Sequence, residues 1–506
     1  MLLSLDLGTT HSKAGLFTRD GSLQSAARQQ TVAHQEPSGS AYYDPQEMWA
    51  AVIKIICEVT KGLDTREIAT VGIASMAETG LLVDKQTGEA RSHMLPWYDA
   101  SAAPQVKLIQ QNSDPVTRFC HSGMRPNFKC SLAKLLWLRE KDPHLLEGSV
   151  WLSTADYIAF RLTGNIATDY SLAGRTYAFQ LEQLSWDIEW LERFGFRADL
   201  YPQAVPSGQP IGGIRKESAL LIGLPPGTPV AISGHDHVCA AFAAVGTESG
   251  LALDSMGTAE ALVGSFDRDK LGMDEYQSGL VFGRHVAGGG YYWMGGMSAS
   301  GGSIEWLRTI LGDPTLSYQE LEVLVEKAPP GPTGILYFPY LSGSGSPHTD
   351  IQARGAFVGL VQIHKRSDLV KAVLEGTAYE AEFIRQAAQK ILRKEISSLK
   401  VSGGGSRLKK WVQIKADVSG CEIEVSTLSE AALLGAALVA GIGCGVYSDE
   451  KEARAFLISS AGPIYQPNGT QNRIYQQLYQ EGFLPLQNPL RDISSKISST
   501  SLTTKG

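Results

Sequence analysis

Apolar and polar residues alternate over 2–7, a polar turn Gly8-Thr9-Thr10-His11-Ser12 follows, and an extended pattern resumes over 13–17. This predicts a strand, a tight turn and a second strand. Such a turn offers backbone N–H groups and hydroxyls together, so it is either an ordinary hairpin or a phosphate cradle, and Asp6 just ahead of it could hold a magnesium ion through water. Asp44-Pro45-Gln46-Glu47 carries the cap, the N1 proline and the early acid of a helix, and Trp49, Val52, Ile53 and Ile56 recur behind it at helical spacing. The short apolar strand 69–74 empties into a turn containing Glu78, Thr79 and Gly80, where a carboxylate is either a turn residue or a ligand for hydroxyl groups. Pro96-Trp97-Tyr98-Asp99 places an aromatic beside an acid. Residues 128–200 read mainly as helices and loops, and the pattern marks no catalytic residue among them.

Near the end of the first half a strand, 228–232, runs into Ser233-Gly234-His235-Asp236-His237. This puts a carboxylate at the tip of a sheet, where ligands of α/β proteins sit. Asp236 is either the N-cap of the helix that follows or a general base. His235 and His237, two apart on a strand, would share a face and could pair on a metal, but no third histidine stands near to complete a site. Residues 251–266, LALDSMGTAEALVGSF, echo 3–17, LSLDLGTTHSKAGLF, almost half a chain apart. A repeat on that scale predicts two like-folded domains whose turns face one cleft, with Thr9, Thr10 and Thr258 directed at one nucleotide. Glycines around 288–302 precede a helix over 304–311, whose N-terminus favours an anion. A long helix spans 367–392, with Gly376 permitting close contact. The strand 399–402 breaks into Gly403-Gly404-Gly405-Ser406 before a helix at 408–418, either a backbone lying against a nucleobase or ribose or a flexible turn. From about 488 the chain is rich in Ser, Thr and Lys and reads as a disordered tail.

Bulk properties narrow the class. At 506 residues, two domains of roughly 250 residues are expected. With 43% hydrophobic and 19% charged residues the protein is globular, and its formal charge of -7 is dispersed. No basic stripe interleaved with aromatics exists, which argues against nucleic acid as a partner. Six scattered cysteines without C-x-x-C spacing read as free thiols in a reducing compartment. The N-terminus meets Asp6 with no basic region before it, unlike a secretory signal. The weakly polar run 431–447 is shorter than the roughly 20 residues of a membrane span and predicts a close-packed internal helix. A cytoplasmic location is the expectation.

Taken in order, DLGTTHSKAGLF at Asp6, ETG at Glu78, PWYD at Pro96, GHD at Gly234, DSMGTAE at Asp254, SIEWLR at Ser303, PYLSGSGSPHTDIQARGAFVGL at Pro339, LEGTAYE at Leu374 and GGGSRLKKWVQIKADV at Gly403 resemble the FGGY carbohydrate kinases, members of the actin, Hsp70 and sugar kinase fold group. The resemblance implies an α/β fold of two actin/Hsp70-like (ribonuclease H-like) domains with a cleft between them: 1–246 for sugar and catalytic base, 247–487 for nucleotide, 488–506 a disordered tail. It implies ATP and Mg2+, with Asp236 as catalytic base and Asp6 as the carboxylate near the metal. Thr9, Thr10 and Lys13 match the first phosphate turn, and Thr258, Gly301, Gly404 and Gly405 match positions against phosphates and adenosine. Glu78 matches a substrate ligand of the glycerol kinase branch; Trp97, Asp99 and His237 complete the implied substrate set. Two departures stand out: Gly343-Ser344-Gly345-Ser346-Pro347 lacks the family's usual Glu-Arg pair, and the arginine that commonly follows Asp99 is missing. The partner implied is a small sugar or polyol, first a ketopentose such as xylulose or ribulose, next glycerol or a short polyol. The resemblance admits a homodimer and points to neither nucleic acid nor membrane. A reading from another class is a nucleotide-binding switch on the same scaffold.

Overall fold

A computed structural model describes residues 1–268, 270–428, 430–457 and 461–503, with backbone alone over 498–503. The apolar runs at both echoing sequences become neighbouring strands of two sheets built to one plan. The first sheet comprises β1 (Leu2–Leu7), β2 (His11–Phe17), β3 (Leu23–Gln30), β4 (Thr70–Ser75), β5 (Pro210–Gly213) and β6 (Pro229–His235), in the order β5-β6-β4-β1-β2-β3. The second comprises β7 (Leu251–Met256), β8 (Glu260–Phe266), β9 (Val281–Arg284), β10 (Tyr291–Met297), β11 (Ser398–Ser402), β12 (Glu422–Val425) and β13 (Ile464–Tyr465), in the order β9-β10-β8-β7-β11-β12-β13. In each, the leading strand is antiparallel to the next strand in sequence and parallel to a later one: β1 with β2 and β4, β7 with β8 and β11. The likeness of 3–17 to 251–266 is therefore a structural repeat.

Helices cover both faces of the first sheet, which is why its central strands read as near-continuous apolar runs. Leu3, Leu5 and Leu7 point one way, into a core shared with Trp49, Val52 and Ile56 of α1 (Pro45–Val59). Asp44 caps that helix by accepting from the N–H groups of Gln46 and Glu47. Leu2 and Ala74 lie in the core on the other side, with α2 (Asp236–Val245) and the late helix α6 (Ala431–Gly443). The Gly/Ala composition of α6 permits this contact: a Cβ at Gly435 would lie 1.9 Å from the carbonyl oxygen of Cys239, and one at Gly72 would lie 2.4 Å from that of Ala436. The run expected to be an internal helix is thus one, and it returns from the second half of the chain to the first sheet. No described helix is long and apolar enough to cross a membrane.

Three further helices flank the second sheet: α3 (Gly301–Leu311), α4 (Arg366–Leu392) and α5 (Lys409–Ser419). The tight contact expected at Gly376 is met, since a Cβ there would fall 2.2 Å from the carbonyl oxygen of Tyr337. The disordered tail expected from 488 is instead part of helix α7 (Leu484–Thr503); residues 504–506 lie outside the described residues. Composition failed because a few anchors suffice. Leu484, Leu486 and Leu490 pack on the second core, and buried Ser494 accepts from the N–H of Arg354 at 3.2 Å and donates to the carbonyl of Leu490 at 2.7 Å.

Candidate active site

The site begins with a glycine that bends a strand. Pairing of β6 with β4 shifts register between Ile232 and Gly234, and Gly234 adopts φ +113°. A Cβ there would lie 2.3 Å from Ser171 Oγ and 2.8 Å from an Asp169 carboxylate oxygen, so only glycine lets the strand pass. The chain then leaves the sheet at once: His235 occupies the cap position and Asp236 is the first residue of α2. The backbone N–H of His235 donates to Ser171 Oγ (2.9 Å), which itself donates to Asp169 (2.6 Å), fixing the bend. Asp236 is not the cap; one of its oxygens accepts only the N–H of the adjacent His237 at 2.6 Å and lies 3.3 Å from His235 Nε2.

Opposite stands Asp6, beside Ala74 in the parallel register of β1 and β4. Burial, then the charge of Asp236, push the Asp6 carboxyl well above the usual range, with Lys13 pulling the other way. Burial likewise lifts Asp236, against the hydrogen bond from His237 and with Glu78 adding to the rise. Asp6 Oδ1 is buried without a hydrogen-bond partner among the described residues. Two mutually repelling carboxylates with an orphan oxygen fit a divalent cation. No described cluster of three His, Cys, Asp or Glu forms a closed metal cage. Magnesium is held by one or two carboxylates and keeps waters and substrate oxygens in its shell. His235 and His237 do not form the metal pair considered above: one ends the strand and the other lies in the helix, their rings edge-on at 5.6 Å. Burial holds both histidines below their ordinary pKa, His235 far below.

A second polar group is organised around Glu78, held at φ +59°. Such a conformation is unfavourable for a non-glycine residue and marks functional turns. Its carboxylate pairs with the buried guanidinium of Arg175. Burial would raise Glu78, but Arg175 and then Lys129 outweigh it and hold the group below the usual range. Lys134 fastens the same turn, donating to the carbonyls of Glu78, Leu95 (3.0 Å) and Pro96 (2.8 Å). Trp97 joins the two halves of the site: its indole N–H donates to Thr9 Oγ1 at 2.9 Å, and Lys129 Nζ sits 4.8 Å from the ring centroid. Asp99 is occupied by backbone, accepting from the N–H groups of Ala41 (2.7 Å) and Ser101 (3.0 Å). Arg175, Lys129, Lys134 and Tyr292 of β10, which stands beside Arg175, were not marked by the sequence pattern. The one signal for Arg175 is a lone cation in the otherwise small and apolar stretch 171–179.

The two Gly-Thr turns each join a pair of antiparallel strands, but they close by different backbone bonds. Gly8 N–H donates to the carbonyl of His11, and Gly257 N–H to that of Ala259, both at 3.1 Å. Around the second turn the other marked glycines gather. Ser300 N–H donates to the carbonyl of Thr258 (3.1 Å) and Gly301 N–H to that of Gly257 (3.0 Å). A Cβ at Gly403 would lie 2.7 Å from the carbonyl oxygen of Met256, and one at Gly405 would lie 3.0 Å from Met256 Cβ. Gly404 faces open space. Thr10 is exposed, and its carbonyl accepts from Thr31 N–H at 2.9 Å. Lys13 is paired with Glu430 at 2.7 Å, just before α6.

This geometry sits on a recognisable sequence. Residues 1–243 match the N-terminal domain, and residues 257–444 the C-terminal domain, of the FGGY family of carbohydrate kinases. The chain belongs to that family. As an FGGY kinase it is 26% identical over 486 residues to a xylulose kinase of Bacillus subtilis, covering 94% of this chain and 95% of that one. It is 30% identical to a glycerol kinase of Gloeobacter violaceus, covering 89% and 90%. The crystal structure of a ligand-bound xylulose kinase from Lactobacillus acidophilus superposes with a TM-score of 0.90 at 24% identity, covering 98% of this chain and 99% of that one, which shows the shared fold of two actin-like domains. FGGY kinases use ATP as phosphate donor, generally with Mg2+, and the orphan oxygen of Asp6 suits that ion.

Proposed function

We propose that this FGGY kinase transfers the γ-phosphoryl group of ATP to a hydroxyl of a ketopentose such as xylulose or ribulose, with Asp236 as general base. The observation that carries this reading is Asp236 itself, delivered by the Gly234 bend to face Asp6 at the strand tips. A substrate hydroxyl between Asp236 and the γ-phosphorus loses its proton to the carboxylate as its oxygen attacks, and the bond to ADP breaks. Asp236 is not of ordinary acidity: burial moves it toward neutrality, where a base both accepts a proton readily and remains ionised in good part. Asp6 would hold the magnesium ion, whose charge offsets that of the phosphates. Thr9, Thr10 and Thr258 with the glycines at 301, 404 and 405 would hold the nucleotide, and Lys13 would reach the phosphates by leaving Glu430. Glu78, Arg175, Trp97 and His237 would line the sugar, with Asp99 acting through the loop it pins. A short polyol such as glycerol is the second reading, supported by the matched Glu78 and by the 30% identical glycerol kinase. A nucleotide-binding switch lacks support from so dense a set of polar groups about Asp236.

The test is ADP release by the purified protein with MgATP against paired ketoses, aldoses and polyols. Stimulation by a ketopentose well above every polyol is the expected result. Stimulation by glycerol alone selects the second reading, and turnover indifferent to all of them refutes the transfer reaction.

A further inference from the structure

Asp254 occupies in the second sheet the place that Asp6 occupies in the first, on the leading strand ahead of a Gly-Thr turn. The two are satisfied differently. Asp6 faces another carboxylate, whereas Asp254 has a cation of its own: Lys415 Nζ, on α5, lies 2.8 Å from Asp254 Oδ2 and 2.5 Å from Glu260 Oε1. All three side chains are almost wholly buried. Burial alone would pull the ammonium down, but Asp254 and Glu260 outweigh it and keep Lys415 above its ordinary value. The second oxygen of Glu260 accepts from Ser300 Oγ at 2.7 Å.

This cluster joins three segments that meet near the second turn. Asp254 and Glu260 bracket that turn on β7 and β8. Ser300 is the residue before α3, and its N–H reaches the carbonyl of Thr258. Lys415 is carried by the helix that follows Gly403-Gly404-Gly405. An ammonium with short, directed contacts to two strands of the sheet, relayed by Glu260 to the start of α3, fixes three backbone segments relative to one another. Apolar packing is non-directional and would not set their register.

We propose that Lys415 is a positioning residue for the nucleotide: through Asp254, Glu260 and Ser300 it locks the Gly257–Thr258 turn and the start of α3 in the arrangement that receives the ATP phosphates. It touches no reacting atom. The proposal rests on the nucleotide site described above, and direct binding of ADP by the wild type tests that site separately.

The experiment compares wild type, Ser300→Ala, Glu260→Gln and the neutralised triple variant Asp254→Asn/Glu260→Gln/Lys415→Met. The triple variant leaves no unpaired buried charge and is therefore the one expected to fold. ADP affinity, KM for ATP, KM for the sugar and melting temperature are measured for each. Expected are a rise of about 10- to 100-fold in KM for ATP in the triple variant and a smaller rise in Ser300→Ala, with KM for the sugar within about 2-fold of wild type. A triple variant that melts near wild type and binds ADP and ATP as wild type does would overturn the proposal, as would variants that lose stability alone or that raise both KM values together. Absence of ADP binding by the wild type would instead remove the nucleotide site and the proposal with it.

Discussion

Asp236→Asn separates chemistry from structure. The substitution keeps shape, and the amide oxygen can still accept the N–H of His237 at 2.6 Å, so α2 retains its first turn. What disappears is the ability to take a proton, and a positioned general base contributes about 10²–10⁴-fold, or roughly 3–5 kcal/mol of barrier. ADP release under saturating MgATP and sugar should fall by that factor, with KM for ATP nearly unchanged. Stability should move the other way. Burial raises the folded-state pKa of Asp236 to about 7, so its favourable share is complete below the ordinary aspartate value and is lost as pH rises through the folded value. Asparagine escapes that loss. The ligand-free variant should therefore melt a few degrees above wild type at pH 8, at about 2–4 °C per kcal/mol, with the difference vanishing near pH 4. Wild-type turnover would refute the base assignment; a lower melting temperature at pH 8 would refute the account of its burial.

Other substitutions probe the supports. Arg175→Met takes from the buried Glu78 carboxylate its one paired guanidinium, leaving only the more distant Lys129 and Lys134, and should cost about 3–5 kcal/mol in denaturant unfolding, with a raised KM for the sugar. Gly234→Ala places a Cβ against Ser171 and Asp169 in a φ that alanine avoids, and should lose about 1–3 kcal/mol together with most turnover. Magnesium alone should raise the melting temperature of the wild type at pH 8, by the equivalent of about 2.7 kcal/mol at a hundredfold excess over its dissociation constant. In Asp6→Asn, which keeps an amide oxygen at that position but loses the carboxylate charge, calorimetry should find that rise abolished.

Much of the local geometry of the candidate site was legible before the fold because local physics writes it locally. An apolar strand ending in Asp and a Gly-Thr turn is a short-range pattern, and both copies became neighbouring antiparallel strands joined at that turn. Gly234-His235-Asp236 is likewise a strand end, and its glycine is required by the bend it makes. The capped helix α1, the glycine break after β11 and the small-residue face of α6 follow from capping, backbone freedom and side-chain size along a few consecutive residues. Other features have partners too remote for any such pattern. Arg175 meets Glu78 across 97 residues, Lys415 meets Asp254 across 161, and Lys13 meets Glu430 across 417. Whether a carboxylate binds substrate or pins a loop, as Asp99 does, depends on which backbone N–H groups the fold brings to it. The seating of α7 likewise depends on an apolar surface formed by other segments of the chain. Sequence by itself determined the strands, the turns and the chemical groups at their tips, because these depend on periodicity and backbone freedom. Tertiary structure alone decided which charges neutralise one another and how far burial shifts their protonation, because both depend on distances that close only when the two sheets are built.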